Sequence, residues 1–153
     1  MAVGFAGFSP EALKFLRQLK RNNNRNWFMA HKETYEEKVK GPMTDLVLAL
    51  GGAMQSFAPE MVVDPKKTIY RIYRDVRFSS DKSPYKTHAA AIFWPRGMEK
   101  NSSSVLYFHF SPEELIIAGG VYMPGSKELL AIRQHIANDA ARFRSILKQR
   151  EFK

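Results

Sequence analysis

The residues best equipped for chemistry fall within twenty positions, "RIYRDVRFSSDKSPYKTHAA" from Arg71 to Ala90. Arginines recur at 71, 74 and 77, and a polar turn follows with Lys82, Ser83, Pro84, Tyr85, Lys86 and His88. Between Asp64 and His88, seven lysines and arginines face only three aspartates. An arginine offers a planar fork of donors that fits carboxylate or phosphate, and a lysine adds a mobile point charge. The chemistry this set suits is capture of an anion, with Tyr85 or His88 as the proton-transfer group. The candidate ligand-binding residues are therefore Arg71, Arg74, Asp75, Arg77, Lys82, Tyr85, Lys86 and His88.

Positions 68–78 alternate as a strand does. One face collects Ile69, Arg71, Tyr73, Asp75 and Arg77, and the other Tyr70, Ile72, Arg74, Val76 and Phe78. Arg74 is the one charge on the apolar face, where an unpaired guanidinium is costly. Either a bulge near Arg74 and Asp75 turns it outward, or it meets a carboxylate or a bound anion. A purely structural reading makes Arg71, Asp75 and Arg77 a same-face ion-pair ladder. Pro84 keeps Ser83 out of helical geometry, so the turn should carry Lys82 and Lys86 back over the arginines. The small side chains of Ala89, Ala90 and Ala91 permit close approach by a helix, a strand or a ligand.

Other chemistries find no foothold. Neither a dinucleotide-binding glycine fingerprint nor a phosphate-binding loop is present, no serine sits in a nucleophile elbow, and the four histidines share no metal-ligand spacing. No cofactor or metal is expected. The absence of cysteine removes thiolate nucleophiles and disulfides. Lys and Arg number 24 against 15 Asp and Glu, a net charge of +9, which favours anionic partners. Much of that charge lies on helices, at Lys14, Arg17, Lys20 and Arg21 and again at Arg142, Arg144, Lys148 and Arg150. No apolar run approaches the ~18 residues of a membrane span, so no membrane partner is expected and a cytoplasmic location is the default.

The elements that must position these residues change period along the chain. A helix is predicted over 9–22, with Ser9 as N-cap, Pro10 at its first position, and Ala12, Phe15, Leu16 and Leu19 as its buried stripe. A second runs from about Arg25 to Lys38. A third, opened by Pro42, presents Met43, Leu46, Val47, Leu50, Met54 and Phe57, with Gly51-Gly52 marking a weak point or a close contact. Strands are expected at 68–78, 87–95, 104–110 and 115–123, the last two joined as a hairpin by "SPEE". The segment 95–104 reads as an exposed, mobile loop with Lys100 open to proteolysis. A helix carrying Leu129, Ile132 and Ile136 follows Gly125-Ser126, and another starts at Asn138 or Asp139. Helices, then an antiparallel sheet of about four strands, then helices again define a single α+β domain. The last helical pattern is still running at Lys153, which suggests a truncated chain.

The segments "NNNRNWF", "YRIYRDVRFSSDKSPYKTH" and "GGVYMP" closely resemble the family called domain of unknown function 2461, found in bacteria and fungi. The likeness runs from Phe8 to about Leu147. It is most specific at Arg74, Asp75, Arg77, Phe78, Lys82, Pro84, Tyr85, Lys86 and His88, which match its R-D-x-R-F and K-x-P-Y-K-x-H pattern. Members usually continue with a further basic, aromatic segment that this chain lacks. The resemblance implies the fold and a bacterial, cytoplasmic origin, and it assigns no activity. The sequence therefore favours a cleft for a small anionic, phosphate-bearing ligand, in a binding protein or an enzyme. A structural or interaction module and nucleic-acid binding are the alternatives, and the oligomeric state is left open.

Overall fold

The computed structural model describes residues 4–100 and 104–150. Helix α1 (Pro10–Arg21) follows Ser9, which is extended but makes no side-chain cap. Its stripe of Ala12, Phe15, Leu16 and Leu19 is fully buried, as the spacing requires. Asn24 caps α2 (Arg25–Ala30), its side chain accepting from the Trp27 amide at 3.0 Å.

The predicted helix over 25–38 is broken. It bends at His31, continues as α3 (Lys32–Tyr35), and widens into a π-turn over Glu36–Lys40 before α4 (Gly41–Met54). Pro42 explains the widening. It has no N–H, and its ring would strike the carbonyl four residues back, so the preceding amide of Gly41 reaches Glu36 instead. Within α4, a β-carbon on Gly51 would approach Val63 to 3.1 Å, so this glycine marks a close contact. Phe57, expected in the buried stripe, lies beyond the end of α4 and is exposed.

The sheet has three antiparallel strands among the described residues, in the order β1 (Ala89–Phe93), β2 (Val105–Phe110), β3 (Leu115–Gly120). The β2–β3 hairpin closes as expected, the Ser111 amide donating to the Glu114 carbonyl at 2.9 Å. The strand expected at 68–78 is not formed. Thr68 ends a one-turn helix, α5 (Pro65–Thr68), and the chain beyond it is extended but bonded only at intervals. The Tyr70 amide reaches Ala90, the Arg74 amide reaches Pro84, and the Lys86 amide reaches Ile72. Pro84 has no amide to return and the chain bends at Thr87–His88, so no ladder propagates. The two-residue alternation survives nonetheless: Ile72 is buried between exposed Arg71 and Tyr73.

One face of the sheet, with Ala91 and Phe93, packs on Met43, Val47 and Met54 of α4. A second cluster joins α1 to Phe28, Tyr35, Ile72, Tyr85 and Phe110. Two helices follow the sheet, α6 (Ser126–Asn138) and α7 (Ala140–Leu147), with Asp139 capping the latter through the Arg142 amide. Neither buries a residue, so the expected stripe of Leu129, Ile132 and Ile136 is only half covered.

Candidate functional site

The polar turn is held by its own charges. Arg74, the anomaly on the apolar face, pairs with the Asp81 carboxylate and is partly exposed. Asp81 also accepts from the Ser83 amide at 2.9 Å, and these contacts, with Ser83 foremost, hold its carboxyl far below the usual range. Arg77 grips Asp75 through two bonds, Nε to Oδ1 at 3.0 Å and Nη2 to Oδ2 at 2.7 Å. The ammonium groups of Lys82 and Lys86 donate to the carbonyls of Val76 and Arg71, at 3.0 and 2.8 Å.

Tyr85 is a core residue. Its ring stacks on Phe28 at 4.1 Å, and Asn23 clamps its backbone, accepting from the Tyr85 amide at 3.0 Å and donating to its carbonyl at 2.9 Å. Burial pushes its phenol above the ordinary value.

An open cleft with a volume of about 780 Å³ lies on the other side of the sheet from α4. Its floor is nearly bare backbone, because Ala90, Ala118, Gly119 and Gly120 bring almost no side chain to that surface. Tyr70, Tyr107 and Tyr122 line it with Lys86, His88 and Lys100, and none of the described lining residues is acidic. The rim is shaped by "GGVYMP". Gly120 has φ of +148°, and Met123 takes a left-handed φ of 50°, which turns the chain after β3 along the cleft.

Two ammonium groups share the ring of Tyr70, Lys100 Nζ at 4.2 Å and Lys86 Nζ at 5.0 Å from its centre. Both lysines are pushed below the ordinary value. Burial is the main cause for each, and Arg71 and then Lys100 add repulsion at Lys86. Lys100 thus departs from the exposed loop expected of 95–104. It folds back against Tyr70 and Trp94, whereas Met98 and Glu99 are exposed. Residues 101–103 of that loop lie outside the described residues.

His88 stands between this cleft and a smaller hollow of about 340 Å³ that Arg74, Tyr85 and Lys86 also line. Its ring stacks on His109 at 4.2 Å. Burial, then His109 and Lys86, lowers its pKa to about 4, so it is neutral at pH 7.

Of the eight residues singled out from sequence, Lys86 and His88 reach the large cleft, and Arg74 and Tyr85 reach only the smaller hollow. Arg71, Asp75, Arg77 and Lys82 line neither of these two. Sequence reasoning missed Tyr70, Lys100, Tyr107 and Tyr122. The alternation of β2 carried a signal for Tyr107, since Val105, Tyr107 and His109 share one face.

An α+β fold with an open, aromatic-walled cleft on the uncovered face of a three-stranded sheet is the class these features define. The chain belongs to the family described as conserved hypothetical protein (DUF2461), whose model matches residues 11–153. No curated protein and no solved structure matches it. Among the described residues, no group of three or more His, Asp or Glu is arranged to hold a metal ion, and no helix is long and apolar enough to cross a membrane.

Proposed function

We propose that this protein binds a small anionic, phosphate-bearing ligand in the cleft on the outer sheet face, the anion lying at Lys86 and Lys100. One observation carries the reading: two partly desolvated ammonium groups lie 4.2 and 5.0 Å from the centre of one tyrosine ring, in a cleft with no acidic residue among its described lining. Their lowered pKa values mean that burial disfavours their charge, and a bound anion beside them offsets that penalty. The remaining wall is aromatic and aliphatic, from Tyr107, Tyr122, Ile92 and Val105, and suits an apolar or flat ligand body.

Thermal melts with inorganic phosphate, pyrophosphate and nucleoside phosphates at constant ionic strength test this. A ligand at a hundredfold excess over its Kd adds about 2.7 kcal/mol of stability. Lys86→Gln and Lys100→Gln should each remove most of the gain. A wild-type melting temperature indifferent to all of these compounds sinks the reading. Duplex DNA, titrated against salt, separates the nucleic-acid alternative, whose log–log slope is about 0.9 per phosphate neutralised.

The second reading, a polar motif that serves the fold, is favoured by the turn itself. Arg74, Arg77, Lys82 and Lys86 each meet a carboxylate or a carbonyl within the segment. The two readings divide the motif: Arg74 and Arg77 staple the turn, and Lys86 and His88 line the cleft.

A further inference from the structure

Tyr107 and His109 stand two residues apart on β2, so both project from the sheet face that carries the cleft. Tyr107 Oη lies 3.2 Å from His109 Nδ1. On the far side of the imidazole, Glu114 Oε1 lies 3.7 Å from Nε2, which is itself buried and makes no hydrogen bond. A bare Nε2 lone pair aimed at a carboxylate would be repelled, so the proton belongs on Nε2. Nδ1 is then left to accept from the tyrosine hydroxyl. At 3.7 Å Glu114 acts through its charge rather than a hydrogen bond. Stacking against His88 fixes the ring plane.

Resting on the cleft reading above, we propose that Tyr107 is the proton-transfer group of the cleft, relayed by His109 and oriented by Glu114. The ligand is then a phosphate-bearing molecule with a hydroxyl beside Tyr107. Its hydroxyl proton passes to Tyr107 Oη as the tyrosine's own proton passes to His109 Nδ1. The imidazolium so formed faces Glu114, and the same path in reverse delivers the proton to a leaving oxygen. Two protons shift in concert, one from the ligand hydroxyl to Tyr107 and one from Tyr107 to His109, which leaves a ligand alkoxide and an imidazolium with no electrons lost. Tyr107 touches the ligand, and His109 and Glu114 are positioning residues.

Burial pushes the Tyr107 phenol above its ordinary value, with Tyr70, Glu114 and Tyr122 adding to the effect. Left unaided it should be less reactive than Tyr122, which shares the cleft and is 79% exposed. An aryl sulfonyl fluoride reads this without knowledge of the substrate. The phenol oxygen bonds to sulfur, fluoride leaves, and the phenol proton goes to His109. In the wild-type protein Tyr107 is expected to be modified faster than Tyr122. His109→Phe should slow Tyr107 modification at least about tenfold and leave Tyr122 unchanged. Glu114→Gln, at an exposed side chain that should not affect folding, should slow it about two- to fivefold. Modification of Tyr122 ahead of Tyr107, or a Tyr107 rate unchanged in both variants, overturns the relay. Added pyrophosphate tests the cleft separately. Protection of Tyr107 supports the phosphate-bearing ligand, and no protection with the His109 dependence intact overturns that ligand class while supporting the relay.

Discussion

His88 is the residue whose protonation the fold most strongly resists. Its unfolded value is 6.5 and its folded value about 4, because burial, His109 and Lys86 all oppose the cation. Above pH 6.5 both states are neutral and the group contributes nothing to the slope. Below it the unfolded chain takes up a proton that the folded chain refuses, so stability falls as pH drops from 6.5 towards 4. Because the ring is only half buried, the loss should be on the order of 1–2 kcal/mol rather than the full linkage value. His88→Phe, which keeps the stack on His109, should flatten urea-melt stability across that window. Asp81 has the opposite origin and a lower window. Its folded value is depressed below 3.8, so its contribution is present above pH 4 and lost as pH falls further. Arg74→Ala breaks the same pair, whose carboxylate is more than half exposed, and should lower Tm by about 2–4 °C or less. A loss many times larger would place Arg74 among buried structural pairs instead.

Helix α4 holds two adjacent glycines in different surroundings. A β-carbon at Gly52 meets nothing within 4 Å, whereas one at Gly51 meets Val63 at 3.1 Å. Gly52→Ala should therefore stabilise by up to about 0.5–1 kcal/mol, through lost unfolded-state entropy and better helix propensity. Gly51→Val should instead cost about 1–3 kcal/mol by overpacking the contact with Val63. Denaturant melts of both variants check the pair, and equal effects of one sign would mean that α4 does not pack as described. At the end of β3, Gly120 has open space but a φ of +148°, so Gly120→Ala is strained by conformation alone. A loss of at least about 1 kcal/mol is expected there.

Across the whole molecule, stability should be uneven. α1 buries Phe15, Leu16 and Leu19 completely, whereas no residue of α6 or α7 is fully buried. Amide exchange under native conditions should protect 12–19 at close to the global free energy and leave 126–147 exchanging through small local openings. The same contrast redirects proteolysis. Lys100 is folded against Tyr70 and Trp94, so trypsin should cut first within α6 or α7, at Arg133 or Arg142, and not at Lys100. First cleavage at Lys100 would show that this lysine does not rest over Tyr70 in solution, and would weaken the anion site with it.

Local signals in the sequence were enough for the α+β class, the buried stripe of α1, the β2–β3 hairpin and a last helix starting at Asn138 or Asp139, of which Asp139 is the cap. Those signals are local: a 3.6-residue stripe, a short polar turn and a capping side chain each act within a few positions. The sequence also showed that 71–90 was unusual, and it read the alternation of exposure from Arg71 to Arg77 correctly. Whether this alternation became a strand was settled by long-range contacts, since it depended on what Pro84 could offer from across the gap. Tertiary structure likewise chose which sheet face α4 covers. That choice left the other face open and gathered Tyr70, Lys86, Lys100, Tyr107 and Tyr122 from five separate stretches around it. Residues so distant in sequence share no period and no motif, so long-range packing alone brings them together.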